Sequence, residues 1–500
     1  MAFILPVFEV LVAATILLLY FALVYKRKDP RYPPGPPGLP IIGNIHQFGK
    51  LPALTLMNWM KEYGKIYSIK FGIDDAVVIN DPKLIKELFS SAAASGRIQN
   101  DFFLAISNGP HGIINTEGNC WEEQRRFVLR RLRDFGFAKS SMEGLILDEA
   151  SAILNWFDNT KGNPVSCNRL FNGAVVNALW YIISGERNKL NENNPQESEM
   201  LKISDRFIKA VEYACTSGLA FAPFLRHIAP DLSGWTSLIE TISDLNQFSE
   251  KAIRDHLNKL DPNSPQDLID HYLIEMEKTK DPKSSFYGSI GENNLKAIVV
   301  DLFEAGNETT SNTLLWLMLY LSHHPGVQQK LIEEILSVVG KERQPSLSDR
   351  ASLPYTEAVL MEVLRKSALV PMGVFHRMLQ DTMFHGYLLP KHTIIIPNLH
   401  ASLNDPEIWE DPEHFRPERF LSEDGKKVIR NDALIPFSVG KRVCLGETLA
   451  KDTLFLFITS IFQKFELYPD PENPKPNFDP TPGIISLPNP FKVVVKRHMY

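Results

Sequence analysis

The sequence predicts a mainly α-helical protein with a small β-rich lobe, placed behind an N-terminal transmembrane anchor. Three observations carry that prediction. Between residue 121 and about residue 365, apolar residues recur at helical spacing in long segments. Strand-like runs are few and short, at residues 66–71, 76–79, 387–396 and 491–496. The first 25 residues hold a long apolar run whose one charge is Glu9.

Composition bounds the rest. The chain has 500 residues, 44% hydrophobic and 22% charged, with a formal net charge of −6. That length suggests roughly three domains of average size. Neither the net charge nor any long basic tract points to nucleic acid. Cysteine occurs only at Cys120, Cys167, Cys215 and Cys444. If one of them is a ligand, an odd number remains, which is poor material for a disulfide framework. A reducing, cytosol-facing compartment fits best.

Residues 10–25 carry no charge, and a helix needs about 20 apolar residues to span a bilayer core. Lys26, Arg27, Lys28 and Arg31 follow at once, while no Lys or Arg precedes the run. The positive-inside rule then puts the body of the chain in the cytosol. A cleaved signal peptide would carry a basic leading segment and a small-residue cleavage site. Neither is evident, so residues 1–25 read as an uncleaved anchor and residues 26–44 as a basic, proline-rich hinge. Its core, Tyr32-Pro33-Pro34-Gly35-Pro36-Pro37-Gly38, is a stiff extended spacer, because proline fixes φ and lacks a donor.

Beyond the hinge, residues 66–71 and 76–79 flank Gly72-Ile73-Asp74-Asp75 and read as a hairpin. Trp121 and Arg125 stand one helical turn apart, one above the other. Arg125, Arg126, Arg130, Arg131 and Arg133 form a basic cluster; such runs are usually solvated faces. The proline-broken apolar stretch 220–235 suits membrane contact, a substrate gate or packed core.

A segment at roughly 295–324 ends at Pro325 and would span about 45 Å as a helix. Gly306 in its interior costs up to ~1 kcal/mol against alanine. A backbone passing close to a flat ligand would offset that cost. Nearby, Thr309 has an ordinary fate open to it, a hydrogen bond back to the carbonyl four residues earlier. Asn307-Glu308-Thr309 also spells a glycosylation acceptor, a false positive in a buried helix on the cytosolic side. Glu362 and Arg365 share a helix face and suit an ion pair. The same spacing recurs at Glu122/Arg125, Glu123/Arg126 and Glu413/Arg416. No internal repeat is evident. No glycine-rich phosphate loop occurs either, so no flavin or nicotinamide site is built in and electrons must come from a separate partner.

The most informative stretch is Phe437-Ser438-Val439-Gly440-Lys441-Arg442-Val443-Cys444-Leu445-Gly446. A thiolate that ligates iron needs backbone able to bend close to a flat cofactor, and glycine permits it. Backbone N–H groups aimed at the sulfur would hold it deprotonated and tune the iron. Arg442 is suited to a carboxylate of that cofactor, and Phe437 to shielding the sulfur from water. A free buried cysteine is the usual fate of a lone Cys. Five such residues at fixed spacing, however, arise by chance with a probability on the order of 10⁻⁴.

This stretch resembles the F-x-x-G-x-R-x-C-x-G signature of the cytochrome P-450 family. The resemblance runs from the anchor to the C-terminus and is nearest to the microsomal family 2 group of animals. It implies a single catalytic domain of the cytochrome P-450 fold over residues 45–500, despite the length. Cys444 would be the proximal ligand of haem b (iron protoporphyrin IX). Ala305-Gly306-Asn307-Glu308-Thr309-Thr310 resembles the A-G-x-[DE]-T-[TS] element on the oxygen side of the haem. That likeness implies that Thr309 and Glu308 serve oxygen activation and proton delivery. Trp121 and Arg125 resemble the family's W-x-x-x-R pair, which binds haem propionates with Arg442. Arg97 and His376 occupy positions resembling further propionate partners. Glu362 and Arg365, with Arg419 in Pro417-Glu418-Arg419-Phe420, resemble a Glu–Arg–Arg network that holds the region beneath the haem.

The reaction so implied inserts one oxygen atom from O₂ into a lipophilic molecule, by hydroxylation or epoxidation. Electrons would come from NADPH through a separate NADPH–cytochrome reductase, a flavoprotein, with cytochrome b5 as a second donor. The arginine cluster would face the reductase's acidic docking surface. Phe102, Phe103, Val299, Phe303, Ala305, Val370 and Ile485 sit where the family places its pocket lining. The location implied is the endoplasmic reticulum membrane, single-pass, with the body on the cytosolic side. Two rivals stand beside this reading. One is a haem-thiolate isomerase or dehydratase, whose members depart from the Glu–Thr element; the other is a non-catalytic haem or lipid binder.

Overall fold

The computed structural model describes residues 11, 12, 14, 15, 29–39, 41–134, 140–187 and 199–498. The anchor expected over residues 1–25 therefore lies outside the described residues, apart from four positions. Among the described residues, no helix is long and apolar enough to cross a membrane.

Nine helices bear on the site. They are α1 (Pro82–Ser90), α2 (Gly118–Asp134), α3 (Asn172–Ser184), α4 (Glu199–Thr216) and α5 (Trp235–Leu257), followed by α6 (Leu268–Lys278), α7 (Gly288–His323), α8 (Pro354–Ser367) and α9 (Glu447–Lys464). The starts of α1 and α6 are written in the sequence. Asp81 accepts from the N–H groups of Lys83 and Leu84 with Pro82 in the first turn, and Asp267 accepts from Asp270 N–H. Helix α7 is the axis of the molecule. It begins two turns before the apolar pattern does, because Asn294 is buried and bonded on both sides. Its Oδ1 accepts from Gly112 N–H at 3.0 Å and its Nδ2 donates to Ser285 O at 3.0 Å. It ends at His323, ahead of Pro325. From Leu314 to Leu321 every side chain is buried, so this half of α7 is core on all sides.

Gly306 has a neighbour within the protein that the sequence did not suggest. A Cβ built there would lie 2.4 Å from Leu179 Cδ2 of α3. The close packing of these two helices is a reason for glycine that stands beside the expected passage of a flat ligand.

The strands form a small lobe. Antiparallel β1 (Ile66–Phe71) and β2 (Asp74–Ile79) continue through β7 (Ile394–Pro397), parallel to β2, to β4 (His376–Arg377). Strand β2 starts at Asp74, so Gly72 and Ile73 alone make the turn. The single strand expected at 387–396 is two. Leu389 ends β6 (Tyr387–Leu389), which pairs with β5 (Thr382–Phe384), and β7 belongs to the larger sheet. Pro390, without a donor, and His392, at φ 74°, separate them. A third sheet joins β3 (Pro164–Ser166), β9 (Lys492–Arg497) and β8 (Phe465–Pro469).

The proline-rich segment is extended and also docked. Ser68 donates from its N–H to Pro34 O at 2.7 Å and from its hydroxyl to Pro33 O at 2.8 Å. The stretch 220–235 divides. Phe221 packs edge-on against Phe71 with ring centroids 4.3 Å apart, whereas Ile228 and Leu232 are 73% and 77% exposed.

Candidate active site

The loop 437–446 is shaped by contacts with the protein itself. Gly440 sits at φ +77°, and a Cβ there would lie 2.2 Å from Phe89 O of α1. That approach ties the loop to α1, while Cys444 N–H donates to Phe437 O at 3.0 Å. Cys444 lies just before the N-terminus of α9, where the N–H groups of Gly446 and Glu447 stand near its sulfur. Burial prevails and holds the thiol above its usual range, although those N–H groups and Arg125 pull it down. A helix N-terminus of this kind favours the thiolate, and a coordinated metal would deprotonate it outright. The residue nonetheless keeps accessible surface. Phe437 is half-buried beside it, under Lys451 Nζ at 5.3 Å from the ring centroid.

Around this loop the structure collects most of the cations predicted from sequence. Arg442 is buried, with Nε donating to Ser95 O at 2.9 Å and Nη1 to Ile113 O at 3.1 Å. Its guanidinium lies 3.8 Å from the centroid of the Trp121 ring. Arg97, also buried, donates to Ile114 O and Phe375 O, each at 2.9 Å. Arg125 Nη2 reaches Val443 O at 2.5 Å, next to Cys444. His376 stacks on Phe89 at 3.7 Å and its Nδ1 lies 2.6 Å from Ala94 O. Burial, then Arg97, hold His376 well below its usual range, so the ring is neutral and Nδ1 carries the donated proton.

Among the described residues, each hydrogen-bond partner of these three guanidiniums is a carbonyl. Burial and mutual repulsion pull Arg442 down to about 8 and Arg97 to about 9. A guanidinium does not give up its proton in proteins. The pull therefore measures how strongly the cluster attracts an anion. Trp121 Nε1, buried and without a partner among the described residues, adds a free donor. Three cations and an indole N–H beside a cysteine fit a group that brings two carboxylates with its metal, as haem does.

On α7, Ala305 is exposed midway along an otherwise enclosed helix, and Leu302, Gly306 and Thr309 are partly so. This stripe borders internal space. Thr309 Oγ1 donates to Ala305 O at 2.7 Å, the ordinary helical back-bond. Glu308 is held in an amide cage, accepting from Asn172 Nδ2 at 3.1 Å and Asn312 Nδ2 at 3.0 Å. Burial raises its carboxyl above the usual range. Val299 and Phe303 are corrected here. Both are fully buried, as is Phe102, and Phe303 packs on Trp180 and Phe248, so these three belong to the core rather than to an exposed pocket wall. Phe103, Ala305, Val370 and Ile485 keep accessible surface.

Beneath the loop, Glu362 and Arg365 pair at 2.8 Å with neither side chain exposed, and Arg419 Nε joins Glu362 at 3.1 Å. The rival patterns go elsewhere: Glu123 accepts from Ser285, and Arg416 pairs with Asp411.

Two residues escaped the sequence reading. Asp301 Oδ2 accepts from Ile113 N–H at 2.6 Å and Ile114 N–H at 3.0 Å, pinning the loop whose carbonyls hold Arg442 and Arg97. Glu304 is buried one turn before Glu308. The signal was present: an acid inside an apolar helix must have a partner or a neutral form.

A cysteine at a helix N-terminus, a cluster of arginines beside it and a Glu–Thr element on a long helix are the arrangement expected of a haem-thiolate protein. The cytochrome P450 family model matches residues 33–495, and the chain belongs to that family of monooxygenases. It is 34% identical over 492 residues to the farnesoate epoxidase of Bombyx mori, covering 97% of each chain. It is 35% identical over 490 residues to cytochrome P450 2J5 of Mus musculus, covering 97% of this chain and 95% of that one. With cytochrome P450 2B4 of Oryctolagus cuniculus the identity is 34% over 491 residues, 96% of each chain.

Proposed function

We propose that this monooxygenase inserts one oxygen atom from O₂ into a lipophilic small molecule, with electrons from NADPH passed on by a separate flavoprotein reductase. The observation that carries it is the trio Arg97, Arg125 and Arg442, whose guanidiniums bond only to carbonyls among the described residues, set against the Cys444 loop. Bound there, haem b supplies dioxygen binding and O–O cleavage, which a thiolate ligand favours. Cys444 would be that ligand, shielded by Phe437. Arg442, Arg97 and Arg125 would hold the propionates, with Trp121 Nε1 and His376 alongside. The Thr309 hydroxyl would let go of Ala305 O and donate toward the oxygen side instead, and Glu308 would hold a proton one residue away.

Leu302, Ala305, Val370 and Ile485 are apolar and keep accessible surface, and a pocket lined by them would suit a lipophilic substrate. A relative of matching length is named farnesoate epoxidase, so sesquiterpenoid acids and esters head the panel to test, ahead of fatty acids and xenobiotics. Residues 1–25 would anchor the enzyme in the endoplasmic reticulum membrane by a single pass, with the body cytosolic. Ile228 and Leu232 would lie against that membrane, and cytochrome b5 would act as a second donor.

Replacing Cys444 with Ala tests the ligand. The reduced carbon monoxide complex should lose the Soret band that gives the family its name. A band that survives would overturn the assignment. A spectral-shift screen of lipids and terpenoids on the purified enzyme identifies the substrate. Substrate-dependent NADPH consumption with added reductase then excludes an isomerase or dehydratase, which would turn over without it.

A further inference from the structure

Glu304 and Glu308 lie at i and i+4 on α7, on one face of the helix. Both are buried, at 8% and 6% exposure. They are joined through one hydroxyl and one amide. Ser204 of α4 donates its hydroxyl to Glu304 Oε2 at 2.9 Å and accepts from Asn307 Nδ2 at 3.1 Å. Asn307 Nδ2 also lies 3.4 Å from Glu308 Oε1, and Asn172 Nδ2 donates to Asn307 Oδ1 and Glu308 Oε1. In this network the Ser204 hydroxyl donates to Glu304, and the Asn172 amide donates to Glu308. Glu304 Oε1, buried, has no partner among the described residues.

Other charges face the pair from two elements. Arg169, just before α3, acts on both carboxyls and pairs with Asp205 of α4. From α4, Asp205 also acts on Glu308, and Glu212 feels it. One cation, itself paired, stands against two buried carboxyls, and like charges so placed do not both ionise freely.

We propose that Glu304 and Glu308 form one buried carboxyl pair, in which Glu304 is a positioning residue that keeps a proton stored beside the acid next to Thr309. This rests on the reading of Glu308 as that acid. Since Oε2 of Glu304 already accepts from Ser204, the stored proton sits on Oε1. When the Glu308 carboxyl loses its proton, Glu304 stays neutral, so the pair carries one negative charge rather than two. Burial, opposed by the Ser204 hydroxyl and reinforced by Glu308, raises Glu304 to about 8. The pair therefore keeps a proton at neutral pH, which a solvent-exposed glutamate does not.

The test uses the holoenzyme with Glu304→Gln, Ser204→Ala and Glu308→Gln. Infrared difference spectra across pH read buried protonated carboxyls directly. Asp301, raised by burial to about 7, gives one titrating signal, and in the unsubstituted enzyme a second, that of Glu304, should disappear as pH rises through about 8. It should be absent in Glu304→Gln. In Ser204→Ala it should titrate higher, because the hydroxyl that stabilises the carboxylate is gone. The alkaline limb of product formed per NADPH consumed should follow. It should move down by about one pH unit in Glu304→Gln, a tenfold loss beyond the limb, and up in Ser204→Ala. Opposite signs separate this effect from simple destabilisation, which would move both variants the same way. An infrared signal and a pH limb unchanged in Glu304→Gln would overturn the pairing. If Glu308→Gln alone left the coupling ratio intact while the signal still titrated with Glu304, the role of Glu308 would fall and the titrating pair would stand.

Discussion

At Gly306 the sequence and the structure give different reasons for the same residue. Glycine inside a helix calls for an explanation, and the sequence pointed to a flat ligand. The structure answers with Leu179 Cδ2, 2.4 Å from where a Cβ would be. The two explanations predict different genetics. Gly306→Ala should lower stability by about 1–3 kcal/mol through overpacking, against a gain of up to ~1 kcal/mol in helix propensity. Leu179→Ala removes the clashing methyls at its own cavity cost of about 2–5 kcal/mol. Combined, the two should cost less than their sum by about 1 kcal/mol or more, read from thermal melting. Strict additivity, with haem lost from Gly306→Ala and not restored, would return the explanation to the cofactor. That Arg442 and Trp121 would meet beside the Cys444 loop was legible, because residue types at fixed spacing matched a known pattern. What Gly306 meets was not legible, because its neighbour lies 127 positions away in sequence. Thr309 shows the same division: its place was legible, whereas its bond to Ala305 O needed coordinates.

At the scale of elements, three helix ends meet at His256, which the sequence presented as a lone histidine. Near the end of α5, its Nδ1 lies 2.6 Å from Ala252 O and its Nε2 lies 2.9 Å from Asp267 Oδ2, at the cap of α6. Ser184 O, closing α3, is 3.2 Å from the same Nε2. All three neighbours are acceptors, so both ring nitrogens carry protons. Burial opposes the charge, but Asp267 and the Ala252 carbonyl prevail and hold the ring at about 9. The folded value thus exceeds the unfolded one of about 6.5. A raised basic group stabilises the fold fully below the unfolded value, and the benefit fades as pH rises through the folded one. The melting temperature should therefore fall from about pH 6.5 to about pH 9 more steeply than in His256→Gln. The difference is on the order of 2–3 kcal/mol at its fullest. Parallel curves would remove His256 from the clamp. Helix existence was legible from periodicity, whereas the break between β6 and β7 was not. Residues 387–396 hold one apolar run, and only the pairing of its halves with different strands reveals the division at Pro390.

Across the whole molecule, charge is distributed against its net sign. The chain carries −6 overall, yet Arg126, Arg130 and Arg133 are exposed at spacings of four and three along α2. Arg131 is diverted to Asp134 at 3.2 Å and to the Phe127 ring, and Arg125 turns inward to Val443 O. One helix thus splits its basic run, with an inner arginine toward the Cys444 loop and three outer ones toward solvent. Lys441, on that loop, is exposed as well. A reductase with an acidic docking face would be steered to this patch, and electrons delivered there enter at the side where the thiolate lies. Steering of this kind acts on encounter rate and weakens with salt. Arg126→Glu, Arg130→Glu and Arg133→Glu together should slow reduction by the reductase about tenfold at low ionic strength. The gap should close as added salt shortens the screening length to a few ångströms. Chemical reduction and the carbon monoxide spectrum should be unchanged, because the inner contacts of Arg125 and Arg442 remain. A reductase rate that ignores the triple reversal would place electron entry on another face. A loss that salt does not relieve would mean the outer arginines hold α2 in place rather than attract a partner.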